Sequence, residues 1–338
     1  MTCNNNFTLS ILIPVYNEEA SIKPFMHALY TALKPIKANL DVVFVNDGSG
    51  DNTKLIIESV MASDSQVSLV NLARNFGKEA AMTAGLAYVE GDACVIMDVD
   101  LQDPPEVILE FVELWKTKQW DTIYGVRVDR SKDSWFKRLT AGGFYRFFNW
   151  ITSDTKIPEN AGDFRLIDRV VIDALRQLPE RNRFMKGLMA WSAFRSTGVQ
   201  FHRPERHSGE TKFNYWKLWN FAVDGIFSFT AWPLRIWGFV GCAISCLAFI
   251  FMLKIVIGAT FFDVKTPGYA STISVVLFLG GIQLISLGII GGYISRMYRE
   301  LKQRPIYLVE GVYGRYGDEN GTKDVDLELT NYLAKKAS

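Results

Sequence analysis

The sequence predicts an α/β domain built on a mostly parallel sheet, followed by two membrane-spanning helices. Three observations carry that expectation. From Leu9 to Val126, apolar runs of strand length alternate with amphipathic stretches, the pattern of strands joined by crossover helices. Polar clusters stand directly after three of those runs, where a parallel sheet presents its carboxyl edge. Near the C-terminus two segments, 236–253 and 266–295, contain no charged residue, and a bilayer span needs roughly 20 apolar residues.

Taken in order, the strands are expected over 9–14, 41–45, 67–72, 93–97 and 122–126, with helices near 19–34, 52–62, 78–89 and 105–117. Spans are expected over about 236–260 and 268–295. Lys254 interrupts the first apolar run toward its outer end, where a lysine stem reaches the interface. Trp232 and Trp237 flank the entry and Tyr293 and Tyr298 the exit, as amphipathic rings do at headgroup level. Arg235 marks the near end, and Arg296, Arg299, Lys302 and Arg304 crowd the far end, while Lys265 in the connecting loop is opposed by Asp263. By the bias of basic residues both termini should be cytoplasmic. Stretches 134–151 and 213–232 mix aromatics with a few cations, are too polar to span, and read as interfacial helices or as helices packed on the domain. The expected division is a cytoplasmic domain over 1–231, two spans within 232–298 and a cytoplasmic tail over 299–338.

Composition narrows the function. A formal net charge of +1 argues against a surface built to trap nucleic acid, so any anion site must be local. Cys3, Cys94, Cys242 and Cys246 have no paired spacing with histidines, which suggests neither a zinc site nor a disulfide framework. No basic region followed by a long apolar run opens the chain, so no cleavable signal is expected.

The polar clusters carry the chemistry. They are Pro-Val-Tyr-Asn-Glu-Glu at 14–19, Asn-Asp-Gly-Ser at 46–49 and Asp-Val-Asp-Leu-Gln-Asp-Pro-Pro at 98–105. Neither Gly-x-Gly-x-x-Gly nor a P-loop follows a strand, which disfavours a dinucleotide-dependent dehydrogenase and a P-loop enzyme. Asp98 and Asp100 lie two apart at a strand end and can turn toward one site if the chain leaves the pleat there. Such a pair suits Mg2+ or Mn2+, which take carboxylate and phosphate oxygens together. Arg203, Arg206 and Lys212 gather around Ser208-Gly209, a spacing that suits a loop wrapped on phosphate, although a basic loop before a membrane also suits lipid headgroups.

These motifs, with Arg-Asn-Phe-Gly-Lys-Glu at 74–79, Gly-Asp-Phe-Arg-Leu at 162–166 and Arg-Pro-Glu-Arg-His-Ser-Gly-Glu-Thr-Lys-Phe at 203–213, resemble the inverting family 2 glycosyltransferases. The likeness runs over about residues 7–310 and is to the branch of dolichol-phosphate mannose synthases and polyprenyl-phosphate glucosyltransferases. It implies a GT-A-like nucleotide-binding domain held at a bacterial inner or plasma membrane, or at the endoplasmic reticulum in a eukaryote. It assigns Pro14, Tyr16, Glu18, Asp47 and Asp98 to the nucleotide of a sugar donor. Asp98, Asp100 and Gln102 fall to the metal, with Asp100 the direct ligand. Arg127, Arg138, Arg203, Arg206 and Lys212 fall to the phosphate of a polyprenyl acceptor, and Asp163 and Arg206 to catalysis. Asp163 matches the catalytic base of the wider family; here it could instead orient substrate, or cap the helix expected near Arg169. Many family members carry two aspartates where this chain has Asn46-Asp47.

The resemblance implies transfer of one hexose, with inversion, from a nucleotide sugar to polyprenyl phosphate. The run Arg-Asn-Arg-Phe-Met-Lys-Gly-Leu at 181–188 resembles the bacterial glucosyl branch and favours UDP-glucose. GDP-mannose, a UDP-N-acetylhexosamine or a UDP-modified arabinose are alternative donors. The Gln-x-x-Arg-Trp string of processive synthases does not occur, and a non-catalytic nucleotide-binding scaffold would lack the metal and phosphate residues that are present. Gly280-Gly281 and Gly291-Gly292 would permit close helix packing in a homo-oligomer.

Overall fold

The computed structural model describes residues 7–128, 161–178, 180–181, 183–202 and 268–317, together with scattered helical residues between 237 and 257. The stretches 134–151 and 213–232, expected as interfacial helices, lie outside the described residues. The chain divides into two compact units, Met1–Tyr215 with Pro305–Ser338, and Trp216–Arg304.

The first unit is an α/β fold. Its elements in chain order are β1 (Thr8–Val15), α1 (Ile22–Leu33), β2 (Asn39–Asn46), α2 (Thr53–Met61), β3 (Val67–Leu72), α3 (Lys78–Tyr88), β4 (Ala93–Ile96), α4 (Val107–Lys116), β5 (Thr122–Arg127), β6 (Ala161–Asp168), α5 (Arg169–Gln177), α6 (Met185–Trp191), β7 (Ser196–Phe201) and β8 (Val309–Tyr313). They build one eight-stranded sheet in the order β7-β5-β6-β4-β1-β2-β3-β8, in which β6 and β8 run against the rest.

The central strands are buried on both faces, which is why they read as near-continuous apolar runs. From β1, Leu9, Ile11, Ile13 and Val15 join the core formed with Phe25 and Leu29 of α1 and Phe111 and Trp115 of α4. Each such side chain contributes roughly 1.5–3 kcal/mol on burial. Leu12 faces the other side, against α3, where Gly85 permits close approach; a Cβ there would lie 2.0 Å from Leu12 Cδ1.

Three strands were not foreseen. β6 enters antiparallel between β4 and β5, so a crossover pattern alone does not reveal it. β7 extends the sheet beside β5. β8 lies within the stretch expected to be a tail, yet pairs antiparallel with β3. The turn after β8 is anchored as well. Buried Asp41 accepts hydrogen bonds from the Tyr316 hydroxyl and the Ser10 hydroxyl, each at 2.6 Å.

In the second unit, helix α7 (Tyr269–Leu301) covers the second apolar segment and continues past it. Its part Phe278–Leu301, 24 residues reaching a mean hydropathy of 1.6, is long and apolar enough to cross a membrane, and its side chains are unburied. Among the described residues it is the one helix that meets this test. In the first apolar segment the described residues, from Trp237 to Ile257, are helical.

Candidate functional site

The position of the site follows from strand order. β1 has β2 on one side and β4 on the other, so the connections diverge there, and in open α/β sheets ligands bind at such a point, outside the carboxyl ends of the strands. Because β6 runs the opposite way, its beginning, not its end, lies at this edge. The β4–β6 ladder pairs Ile96 with Arg165, which carries Asp163 past the last pair toward the loop after β4.

On the β1 and β2 side, Pro14 is half-buried and Tyr16 is 46% exposed, leaving its ring available to a flat ligand. Glu18 accepts a hydrogen bond from the Ser21 hydroxyl at 2.7 Å, and its own N–H donates to Thr53 Oγ1 at 2.9 Å, so its carboxylate is engaged at the start of α1. Asp47 is buried, and it accepts from the backbone N–H groups of Phe76 at 2.7 Å and Gly77 at 2.8 Å. Burial pushes its carboxyl above the ordinary value, and those two donors act against that shift. The loop after β2 therefore grips the loop after β3. Gly48 makes the contact possible: its φ is +65°, and a Cβ would lie 2.4 Å from the Arg74 carbonyl carbon.

On the β4 side the chain leaves the pleat after Ile96. Asp98 follows with its side chain 34% exposed, and Asp100 is buried. Leu101 takes the left-handed region, with φ 57°, uncommon for a branched side chain. That turn lets the Gln102 N–H donate to Asp100 Oδ1 at 3.1 Å. Arg127, at the end of β5, lies 3.7 Å from buried Asp103 and close to Gly162.

The strongest electrostatic feature joins two of the predicted site residues, Asp98 and Asp163, through two lysines that sequence reasoning missed. Lys78 Nζ lies 2.6 Å from Asp98 Oδ1 and 2.9 Å from Asp163 Oδ2, bridging the two carboxylates. Lys186 Nζ stands 3.7 Å from Asp163 Oδ1. Burial alone would raise the Asp163 carboxyl, but the charges of Lys78 and Lys186, the Lys78 hydrogen bond and the Arg165 charge hold it far below the usual range. Burial would lower the Lys78 ammonium; Asp98 and Asp163 reverse this and raise it. Next to it, Glu79 accepts from the Met185 N–H at 2.9 Å, tying α3 to α6. Burial, and then the Asp163 charge, push Glu79 up to about 7. Lys78 is part of the Arg-Asn-Phe-Gly-Lys-Glu motif and Lys186 of the run at 181–188, but lysines at helix starts ordinarily read as solvated surface.

The helix cap considered for Asp163 belongs to Asp168, whose side chain accepts from Val170 N–H at 3.1 Å and from Trp115 Nε1 at 2.6 Å. Arg138, Arg203, Arg206 and Lys212 lie outside the described residues. Among the described residues, no three His, Cys, Asp or Glu side chains gather to enclose a metal. Asp98 and Asp100 are nonetheless hard oxygen donors, and a divalent cation bound with a diphosphate needs only one or two such carboxylates.

Comparison with known proteins agrees in extent and order. The model of glycosyl transferase family 2 matches residues 10–176, and that of the GtrB C-terminal hairpin matches residues 232–297. An uncharacterized glycosyltransferase of Synechocystis is 48% identical over 306 residues, covering 90% of this chain and 96% of that one. A prophage bactoprenol glucosyl transferase homolog of Escherichia coli is 44% identical over 90% of this chain and 99% of its own, and the bactoprenol glucosyl transferase of Shigella phage SfII is 44% identical over 89% and 97%. A glucosyl-3-phosphoglycerate synthase from Mycobacterium tuberculosis, solved with Mn2+, UDP-glucose and phosphoglyceric acid, aligns over 65% of this chain and 78% of that chain at 16% identity and a TM-score of 0.42. The curated relatives span nearly the whole chain on both sides of the alignment, and on that ground the chain belongs to glycosyl transferase family 2 and is a glycosyltransferase.

Proposed function

We propose that this enzyme transfers one glucose from UDP-glucose to a polyprenyl phosphate, with inversion at the anomeric carbon, releasing UDP. Two relatives at 44% identity are named for bactoprenol glucosyl transfer, which supports both the lipid acceptor and the sugar. The observation that carries the reading is the clasp of Asp163 by Lys78 and Lys186. A carboxylate held that far below its usual range is a poor proton acceptor. A phosphate monoester needs none: its second pKa is about 6, so it is already largely a nucleophilic dianion at neutral pH.

In this reading the lipid phosphate oxygen attacks the anomeric carbon and the bond to the donor diphosphate breaks. Tyr16 and Pro14 lie against the base, with Asp47 and Glu18 shaping the loops beside it. Asp98 and Asp100 would hold Mg2+ or Mn2+, with Gln102 alongside; a bound divalent cation supplies charge neutralisation to the departing diphosphate. Arg127, with Arg138, Arg203, Arg206 and Lys212, binds the acceptor phosphate. Asp163 orients Lys78 and Lys186 and takes no proton. The helix Phe278–Leu301, long and apolar enough to cross a membrane, supports anchoring beside a lipid whose tail stays in the bilayer. A second span over about 236–260, a cytoplasmic domain and termini, interfacial helices over 134–151 and 213–232, and homo-oligomers packed through the glycine pairs belong to the same proposal.

The test is a donor panel. Detergent-purified protein is incubated with undecaprenyl phosphate, Mg2+ or Mn2+, and radiolabelled UDP-glucose, UDP-N-acetylglucosamine or GDP-mannose, and label is counted in the organic phase. Label from UDP-glucose alone is expected; label from another donor instead would overturn the choice of sugar.

A further inference from the structure

β8 carries a bulge. In the β3–β8 ladder Asn71 pairs with Gly311 and Leu72 with Val309, leaving Glu310 without a counterpart. A bulge re-aims the side chain it releases, and Glu310 is turned onto Asn71, whose Nδ2 donates to Glu310 Oε2. From there a chain of hydrogen bonds runs inward. Asn71 Oδ1 accepts from Asn46 Nδ2 at 2.6 Å, and Asn46 Oδ1 accepts from the Ser49 N–H at 3.2 Å and from the Ser49 hydroxyl. Ser49 Oγ in turn accepts from the Asn17 N–H at 2.9 Å, and Asn17 Oδ1 accepts from the Gly50 N–H at 2.8 Å.

From Asn17 N–H through the Ser49 hydroxyl, Asn46 and Asn71, every donor points toward Glu310, and the chain ends on a carboxylate that only accepts. Asn46 and Asn71 are buried, so a mismatch between them cannot be repaired by water. The near end reaches the residues that flank Tyr16 and Asp47. We propose that Glu310, Asn71 and Asn46 form a positioning relay by which the C-terminal strand fixes the 46–50 loop and Asn17 in the geometry that receives the donor nucleotide. This rests on the reading that Tyr16 and Asp47 flank that nucleotide.

The polarity explains the amide at position 46. An aspartate there offers no donor to Asn71 Oδ1. If the Asn71 amide turned round to donate to that aspartate, its oxygen would face the Glu310 carboxylate. One oxygen–oxygen contact remains either way. A glutamine at 310 removes the conflict, because its amide can donate to the turned Asn71. Asn46 and Glu310 are therefore coupled although no bond joins them.

The experiment is a double-mutant cycle on the full-length protein in detergent. Asn46→Asp, Glu310→Gln and the double variant are compared with the unmutated chain for UDP affinity by calorimetry with Mn2+ present and for thermal midpoint. N46D is expected to weaken UDP binding by about tenfold, the factor of one mispaired buried amide, and to lower the midpoint. Adding E310Q to N46D should recover most of both losses, whereas E310Q alone should bring no gain. An equal effect of E310Q in both backgrounds overturns the relay, as does failure of both N46D variants to fold. Recovery of the midpoint without recovery of UDP affinity overturns its link to the donor site. If the unmutated chain binds no UDP, the proposed function fails separately, and the midpoint cycle still decides the hydrogen-bond coupling.

Discussion

Asp163 stands two residues beyond the last β4–β6 pair, Ile96 with Arg165, and the same register continued leads to Asp98; Lys78 joins the two, 2.6 Å from one carboxylate and 2.9 Å from the other. The antiparallel entry of β6 thus brings a carboxylate from a distant part of the chain to the edge where β4 ends. Lys78 is partly exposed, so its ion pairs contribute about 1 kcal/mol or less to stability. Its effect on the reaction should be much larger.

Lys78→Met is therefore expected to shift the thermal midpoint by only a few degrees while lowering kcat by about two orders of magnitude, the scale seen when one preorganised charge is removed from a reacting centre. Lys78→Arg should recover part of the rate. A K78M enzyme with full activity would mean that the bridge is decorative.

The cluster also fixes a pH dependence. Asp163 is depressed, so the stability it confers is present above the unfolded carboxylate value, near 3.9, and is lost only in strong acid. Its ionisation should leave no inflection in the rate between pH 5 and 8. Glu79 has the opposite sign. Its folded pKa, about 7, lies above the unfolded value near 4.3, so the protonated form favours folding and stability falls as pH rises from about 4 through 7. Thermal midpoints measured across pH 5–8 should decline for the unmutated chain relative to Glu79→Gln, and parallel curves would contradict this.

Gly48→Ala is expected to destabilise strongly, because φ +65° costs an L-residue about 1–2 kcal/mol and the new Cβ meets the Arg74 backbone, which cannot turn aside as a side chain would. Loss of UDP affinity should accompany the lower midpoint, since the same contact joins the loops after β2 and β3. A variant with unchanged midpoint would show that this contact is loose.

Much of the fold was legible because β1 to β4, buried on both faces, write themselves as apolar runs, and β3 falls on 67–72 as expected. The polar residues after β1, β2 and β4 were legible for the same reason: they interrupt an apolar pattern where the sheet ends. β6 was hidden because it obeys a different rule. It alternates Phe164 and Leu166, which join the core, with Asp163 and Arg165, and it runs antiparallel between two strands that the crossover pattern had suggested. β8 was hidden by position, since a short run after a long apolar helix gives no sign that it returns to β3. Lys78 and Lys186 were missed because only tertiary structure sets their ammonium groups against Asp163. Glu18, which the resemblance assigns to the nucleotide, also accepts from the Ser21 hydroxyl, a local bond that the Glu-Glu-Ala-Ser spacing could have suggested.

Asp100 is proposed to belong to a centre that moves glucose onto a lipid phosphate. The decisive assay follows radiolabelled glucose from UDP-glucose into undecaprenyl phosphate, with the unmutated protein beside Asp100→Ala, each checked for folding by its thermal midpoint. Label should enter the lipid fraction with the first, and D100A should reduce it by at least about two orders of magnitude while keeping its midpoint. A folded D100A variant that transfers glucose at the unmutated rate, or an unmutated protein that binds UDP and transfers nothing, would contradict the account.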